Sequence, residues 1–148
     1  MSKSDAWEGD LLKLVFQNIN SSLIGDATGL RGSVSAGNLY VSLHTADPGE
    51  TGDQTTNETV YTGYARVAVV RSAAGFTVSG NAPTSVSPAS NVDFPVCTGG
   101  TASITYFGVG TSPTGAGKLL YSGTVSPTIA VSTGVIPRLT TATAITED

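Results

Sequence analysis

Leu39-Tyr40-Val41-Ser42-Leu43-His44-Thr45 runs directly into Ala46-Asp47-Pro48-Gly49. In an extended chain Leu39, Val41 and Leu43 fall on one face, and Tyr40, Ser42 and His44 on the other. Asp-Pro-Gly then stops the strand, because proline fixes φ and glycine tolerates the positive φ of tight turns. The stretch therefore predicts a strand with a marked end. A polar loop follows to about Thr59, and the next apolar-rich segment opens at Tyr61.

Downstream, the same alternation predicts strands at Tyr64–Ser72, Phe76–Ser79, Asn91–Cys97, Ser103–Gly110, Leu119–Val125, Ile129–Val135 and Leu139–Thr146. Turn-rich separators divide them, among them Ala73-Ala74-Gly75, Gly80-Asn81-Ala82-Pro83, Thr98-Gly99-Gly100 and Ser112-Pro113-Thr114-Gly115. Pro83, Pro88 and Pro95 each remove a backbone donor, so Phe76 to Pro95 reads as edge strands or loops. The tail Leu139–Thr146 reads as a closing strand or as an arm pairing with a neighbour. Short strands at close spacing, with no helices between them, predict a mainly β fold. The expected form is an antiparallel β-sandwich or jelly-roll-like domain.

Upstream, only residues from about Ser4 to Ile19 carry helical spacing. Trp7, Leu11, Leu14, Val15 and Asn18 form the stripe, widened by Leu12, Phe16 and Ile19. Ser4 or Asp5 can cap the start, Gly9 weakens the helix by up to about 1 kcal/mol, and Asn18-Ile19-Asn20-Ser21-Ser22 reads as a stop. The expected organisation is an amphipathic helical segment at 1–22 and one β domain at 23–148 with a possible C-terminal β arm.

Charged residues make up 12% of the 148 residues, against roughly 25% in an average soluble domain. Glycine, serine and threonine replace them, a composition that suits β proteins held in assemblies. A net charge of −4 with scattered cations offers no basic stripe for nucleic acid. No apolar run approaches the roughly 20 residues of a membrane span, and the N-terminus lacks a signal-peptide pattern. Cys97 is the single cysteine, which excludes an intrachain disulfide and predicts a core thiol.

Chemistry-bearing motifs are sparse. His44 is the only histidine, no Gly-x-Ser-x-Gly elbow accompanies it, and its strand alternation places it as a surface or subunit-contact residue. Asp47, Glu50 and Asp53 form an acidic trio in a glycine-containing loop, spaced unlike a calcium-binding loop and read as solvated acids. Gly115-Ala116-Gly117-Lys118 lacks the earlier glycine and the following Ser or Thr of a phosphate-binding loop, and it precedes a strand. Paired carboxylates for glycan hydrolysis are not recognisable. No cofactor or metal is expected, and the protein reads as no enzyme.

The string Leu39 to Gly52 resembles the signature of a tailed-bacteriophage structural family. The resemblance continues through Glu58, Tyr61–Val69, Ile104–Gly110, Leu119–Gly123 and Ile136–Leu139. Members are often labelled tail-fibre proteins; the similarity to head cement, or decoration, proteins with a jelly-roll-like fold is taken as the leading reading. It implies a protein made in the host cytoplasm that binds the outer surface of the capsid and clamps neighbouring major capsid subunits. Its partners would be the major capsid protein and itself, as homodimer or homotrimer. The alternative is a tail-fibre or baseplate component that recognises a host receptor. The expected subunit or capsid contact residues are Trp7, Leu11, Leu14 and Val15 on the helix, and His44, Asp47, Glu50, Asp53 and Glu58 in and around the loop.

Overall fold

The computed structural model describes residues 3–26, 29–30, 32–80 and 83–147. Asn81 and Ala82 of one expected turn lie outside them. The chain is mainly β, with antiparallel sheets and one N-terminal helix, as the sequence predicts. Its elements are α1 (Asp5–Gln17), β1 (Ser21–Asp26), β2 (Gly29–Leu30), β3 (Asn38–His44), β4 (Val67–Val70), β5 (Phe76–Ser79), β6 (Thr84–Pro88), β7 (Val92–Asp93), β8 (Ala102–Gly110), β9 (Leu119–Val131), β10 (Arg138–Leu139) and β11 (Ile145–Glu147). They fall into two compact units, residues 1–38, 70–91 and 140–148 in the first, and 39–69 and 92–139 in the second.

In the first unit, α1 begins after an extended Ser4, whose side chain makes no capping bond. It ends where Asn18 turns left-handed at φ 58° and the Ile19 N–H reaches back to the Lys13 carbonyl at 3.1 Å. The buried line is Glu8, Leu12 and Phe16, four residues apart. Trp7, Leu11, Leu14 and Val15 are half-buried flanks of that line rather than its centre. The helix packs on β5 and β6, with the Phe16 ring edge-on to Phe76 at 5.0 Å. Gln17 Nε2 donates to the Phe76 carbonyl.

The sheet under the helix has the order β11-β6-β5. The sequence reading of Phe76–Pro95 as edges or loops needs correcting here, because β6 is the central strand. Pro88 is tolerated as its last residue, opposite Phe76, where the ladder ends. β11 pairs antiparallel with β6, Ile145 opposite Val86, so the tail closes a sheet of its own chain. β1 and β2 pair with each other where the sequence predicts only a stop.

The second unit holds the four-stranded sheet β4-β3-β8-β9 and the two-stranded pair β10-β7. β3 runs antiparallel to β8, from Tyr40 opposite Gly110 to His44 opposite Tyr106. Leu39, Val41 and Leu43 point into a core shared with Ile104, Phe107, Val109, Val131, Val92, Phe94, Cys97 and Leu139. The expected strands Leu119–Val125 and Ile129–Val135 merge into the single strand β9, which ends at Val131, and residues 132–135 form a turn instead. The register slips twice: Thr105 lies opposite the four residues 125–128, and Leu120 is an extra residue where the partners step from Val109–Tyr121 to Gly110–Leu119. Cys97 is buried and free, as predicted.

Candidate functional site

Polar side chains of the second unit gather where the 45–59 loop leaves β3. Both faces of β3 are covered, so the alternation that puts Leu43 inside does not put its neighbours outside. Ser42 and His44 are each 0% exposed. This corrects the expectation that His44 is a surface or contact residue. His44 Nδ1 lies 2.8 Å from the Thr56 carbonyl oxygen, an acceptor, so Nδ1 carries the proton. Nε2 then accepts from the Ser42 hydroxyl, also at 2.8 Å. Burial holds the imidazole below its ordinary 6.5, and nearby Arg66 acts the same way; the Thr56 bond and the Glu58 charge oppose them.

The backbone beyond the ring is antiparallel too, as His44 bridges Glu58. The Thr59 N–H donates to the Leu43 carbonyl at 2.9 Å. Glu58 is the centre of the cluster. Its Oε1 accepts from the Tyr64 hydroxyl at 2.8 Å and from Arg66 Nε at 2.7 Å, and its Oε2 from Arg66 Nη2 at 2.7 Å. The Arg66 guanidinium also donates to the Ser112 and Gly115 carbonyls at 3.0 and 2.9 Å. Glu58 raises the affinity of that guanidinium for its proton. Tyr64 in turn accepts the Leu43 N–H at 3.1 Å and stacks on Phe94 at 6.3 Å. Burial, with Glu58 beside it, pushes its phenol far above the ordinary value. Tyr61, edge-on to Tyr64 at 5.3 Å, is pushed up to about 12 by burial and by Cys97.

Gln54 completes the arrangement from the middle of the loop. Fully buried, it accepts the Ser112 N–H at 2.9 Å, and its backbone N–H donates to the Gly117 carbonyl at 3.0 Å. Its Nε2 has no partner. The loop that the sequence reads as polar and solvated is therefore fastened at both ends and in the middle, to β3 and to the β8–β9 turn. A Ser–His pair is present, but no surface reaches it, and its third member is a backbone carbonyl rather than a carboxylate. The chemistry this arrangement supports is rigidity.

The remaining expected contact residues are scattered. Asp47 is exposed and its Oδ1 accepts the Gly49 N–H at 2.9 Å, forming the turn. Glu50 is exposed. Asp53 accepts from the Thr55 N–H and hydroxyl at 2.7 and 2.6 Å, which hold its carboxyl below the usual range. Glu58 alone of the acids belongs to the buried cluster. Among the described residues no three His, Cys, Asp or Glu side chains converge as a metal site would require. Nor is any helix there long and apolar enough to cross a membrane.

Two hollows adjoin the loop within this unit. One, about 360 Å³, lies among Thr45, Thr59, Val60, Tyr61, Gly100 and Thr101. The other, about 460 Å³, has Asp47, Glu50 and Gly52 on one side and Leu119 to Ser122 on the other. Sequence reasoning missed Ser42, Gln54, Tyr64 and Arg66 as members of the cluster. Ser42, Tyr64 and Arg66 carried a signal, since they stand within the Leu39–Gly52 and Tyr61–Val69 segments on which the family resemblance partly rests; Gln54 carried none.

Comparison with known proteins gives a family match. The model described as Gp80, podophage GP4 fiber I protein gp80, matches residues 3–146. No curated protein matches the chain.

Proposed function

The chain belongs to the podophage GP4 fiber I protein gp80 family, a family of phage structural proteins, and we propose on that basis that it is a non-enzymatic fibre component of the virion tail that contributes to recognition of the host surface. The observation that carries this reading is the extent of the match. Residues 3–146 all fall within one fibre-family model, so both compact units belong to it. The fastened 45–59 loop supports it, since a part that presents a surface under mechanical load gains from a rigid loop. The buried Ser42–His44 pair supports a non-enzymatic role for the same site.

The head-cement reading rests on sequence resemblance alone, and the family description favours the fibre. Immunogold labelling of intact virions separates the two. Gold clustered at the tail is the expected result, whereas gold spread over the capsid overturns the fibre reading in favour of cement. A second measurement tests recognition itself: purified protein added to host cells before infection slows phage adsorption if this component touches the receptor.

A further inference from the structure

We propose that residues 46–56 form a strap that lifts off the four-stranded sheet in mild acid, while the sheet beneath it stays folded. The strap lies on a floor that the sequence keeps bare. β8 alternates Phe107 and Val109, buried in the core, with Gly108 and Gly110 on the opposite face. Gly110 stands opposite Tyr40 and Gly108 opposite Ser42, so β8 puts no side chain at these positions on the face that carries Ser42 and His44. The strap fills that space. A Cβ on Gly110 would collide with the Gln54 side chain, and the Thr56 carbonyl reaches His44 Nδ1 at 2.8 Å.

The neck of the strap is tied to itself. The Thr45 N–H donates to the Asn57 carbonyl at 2.9 Å, and Asn57 Nδ2 donates to the Asp47 carbonyl at 2.8 Å. The segment between can therefore move as one piece, like other compact loops whose ends meet. Among the described residues, three hydrogen bonds fasten its body: His44 Nδ1 to the Thr56 carbonyl, the Gln54 N–H to the Gly117 carbonyl, and the Ser112 N–H to Gln54 Oε1. Gln54 is buried with its Nε2 unpartnered, which weakens its seat. Ala46 and Pro48 are the strap's only apolar side chains, and a hollow of about 460 Å³ lies between residues 47–52 and 119–122. A segment that buries so little apolar surface can open locally while the fold persists.

Acid acts through His44. With the strap shut, the ring is out of water, Nδ1 donates to Thr56 and Nε2 accepts from Ser42. A proton added at Nε2 faces the Ser42 hydroxyl and the bare Gly108, not a carboxylate. Glu58 and Arg66 are paired with each other and act on the ring in opposite directions, and the Tyr64 hydroxyl is committed to Glu58. From β8, Tyr106 stands opposite His44 and brings no carboxylate. Of the strap's own acids, Asp47 is turned to the Gly49 N–H, Asp53 to Thr55, and Glu50 is exposed. Lifting the strap returns the ring to water and its ordinary 6.5. Opening therefore takes up a proton below that pH, and its equilibrium constant rises by up to about tenfold per pH unit.

Native-state hydrogen exchange on the full chain at pH 7.5 and 5, expressed as protection relative to free amides, tests the proposal. The reporters are the Gln54 and Ser112 amides, whose bonds break only when the strap lifts. The amides of the β3–β8 ladder are the controls. Both reporters are expected to be less protected than the ladder and to lose protection by roughly tenfold from pH 7.5 to 5. They also respond little to low urea, because lifting the strap exposes little surface. His44→Asn keeps a donor for the Thr56 carbonyl but has no proton to gain, so it abolishes the loss in acid while the circular dichroism spectrum is unchanged. Reporters that share the ladder's protection and urea response show that the strap leaves only when the whole sheet unfolds, and overturn the proposal. So does reporter protection that is equal at the two pH values, or an acid loss that persists in a folded His44→Asn variant.

Discussion

At the residue scale, the arrangement depends on what stands opposite what. Gly108 faces Ser42 in the β3–β8 register, and a Cβ placed there meets His44 Nε2 and Ser42 Oγ at 2.7 Å and Leu119 Cδ1 at 2.8 Å. Glycine is thus the space in which the Ser42–His44 pair sits. Gly108→Ala is expected to cost about 1–3 kcal/mol by overpacking, read as a lower urea midpoint with the slope unchanged. Glu58 makes the second case. The Arg66 side chain is 3% exposed, so Glu58→Ala strands a buried guanidinium and is expected to cost about 3 kcal/mol. Asp93→Ala removes the superficially similar pair with Arg138, where the side chains are 47% and 53% exposed. The melting temperature is expected not to move there, because water already screens that pair. Neither contrast is legible in the sequence, in which Glu58–Arg66 is simply one acid and one base eight positions apart in a loop.

At the scale of the element, the sequence reads strands well where one face alone decides them. Phe76–Ser79 is found at the predicted bounds and β8 within one residue. The reading fails in β3, where alternation identifies the inner face but takes the outer as wet, because a strand covered on both sides leaves its polar residues to pair with each other. It also fails at β6, where serines, a threonine and a proline hide a central strand. The helix shows a subtler error. Apolar spacing locates it, yet the buried line runs through Glu8 rather than Trp7, because packing on β5 and β6 selects one side of a broad stripe. Gly9 lies beside that line, and an added Cβ comes no nearer than 4.0 Å to Thr84 Oγ1. Gly9→Ala is therefore expected to stabilise the chain by up to about 1 kcal/mol, measured as a rise in urea midpoint. A loss of stability shows instead that α1 packs more closely on β6 than this spacing allows.

At the scale of the whole molecule, the chain passes between its two units four times, after residues 38, 69, 91 and 139. No composition shift marks these crossings, so a reading along the sequence could not see them, although every sheet keeps to one unit apart from boundary residues Asn38 and Val70. His44, the one histidine, makes the second unit sensitive to mild acid. Its proton affinity is lower in the folded chain, where burial opposes the charge, than in the unfolded chain with its ordinary 6.5. Unfolding therefore takes up a proton as pH falls below about 6.5, so stability is full above that value and declines beneath it until the folded ring also titrates. One group limits the slope to about 1.4 kcal/mol per pH unit. Asp53 is shifted downward as well, but by hydrogen bonds to its charged form rather than by burial, so any contribution it makes is lost only as pH falls beneath 3.8, outside this interval. Thermal melts between pH 7.5 and 5 should thus show a falling midpoint that belongs to His44 alone. His44→Asn, which retains a donor for the Thr56 carbonyl, lowers the midpoint throughout and flattens its pH dependence in this interval. If the variant slopes as steeply as the parent, the acid sensitivity arises elsewhere and the buried imidazole is not its source.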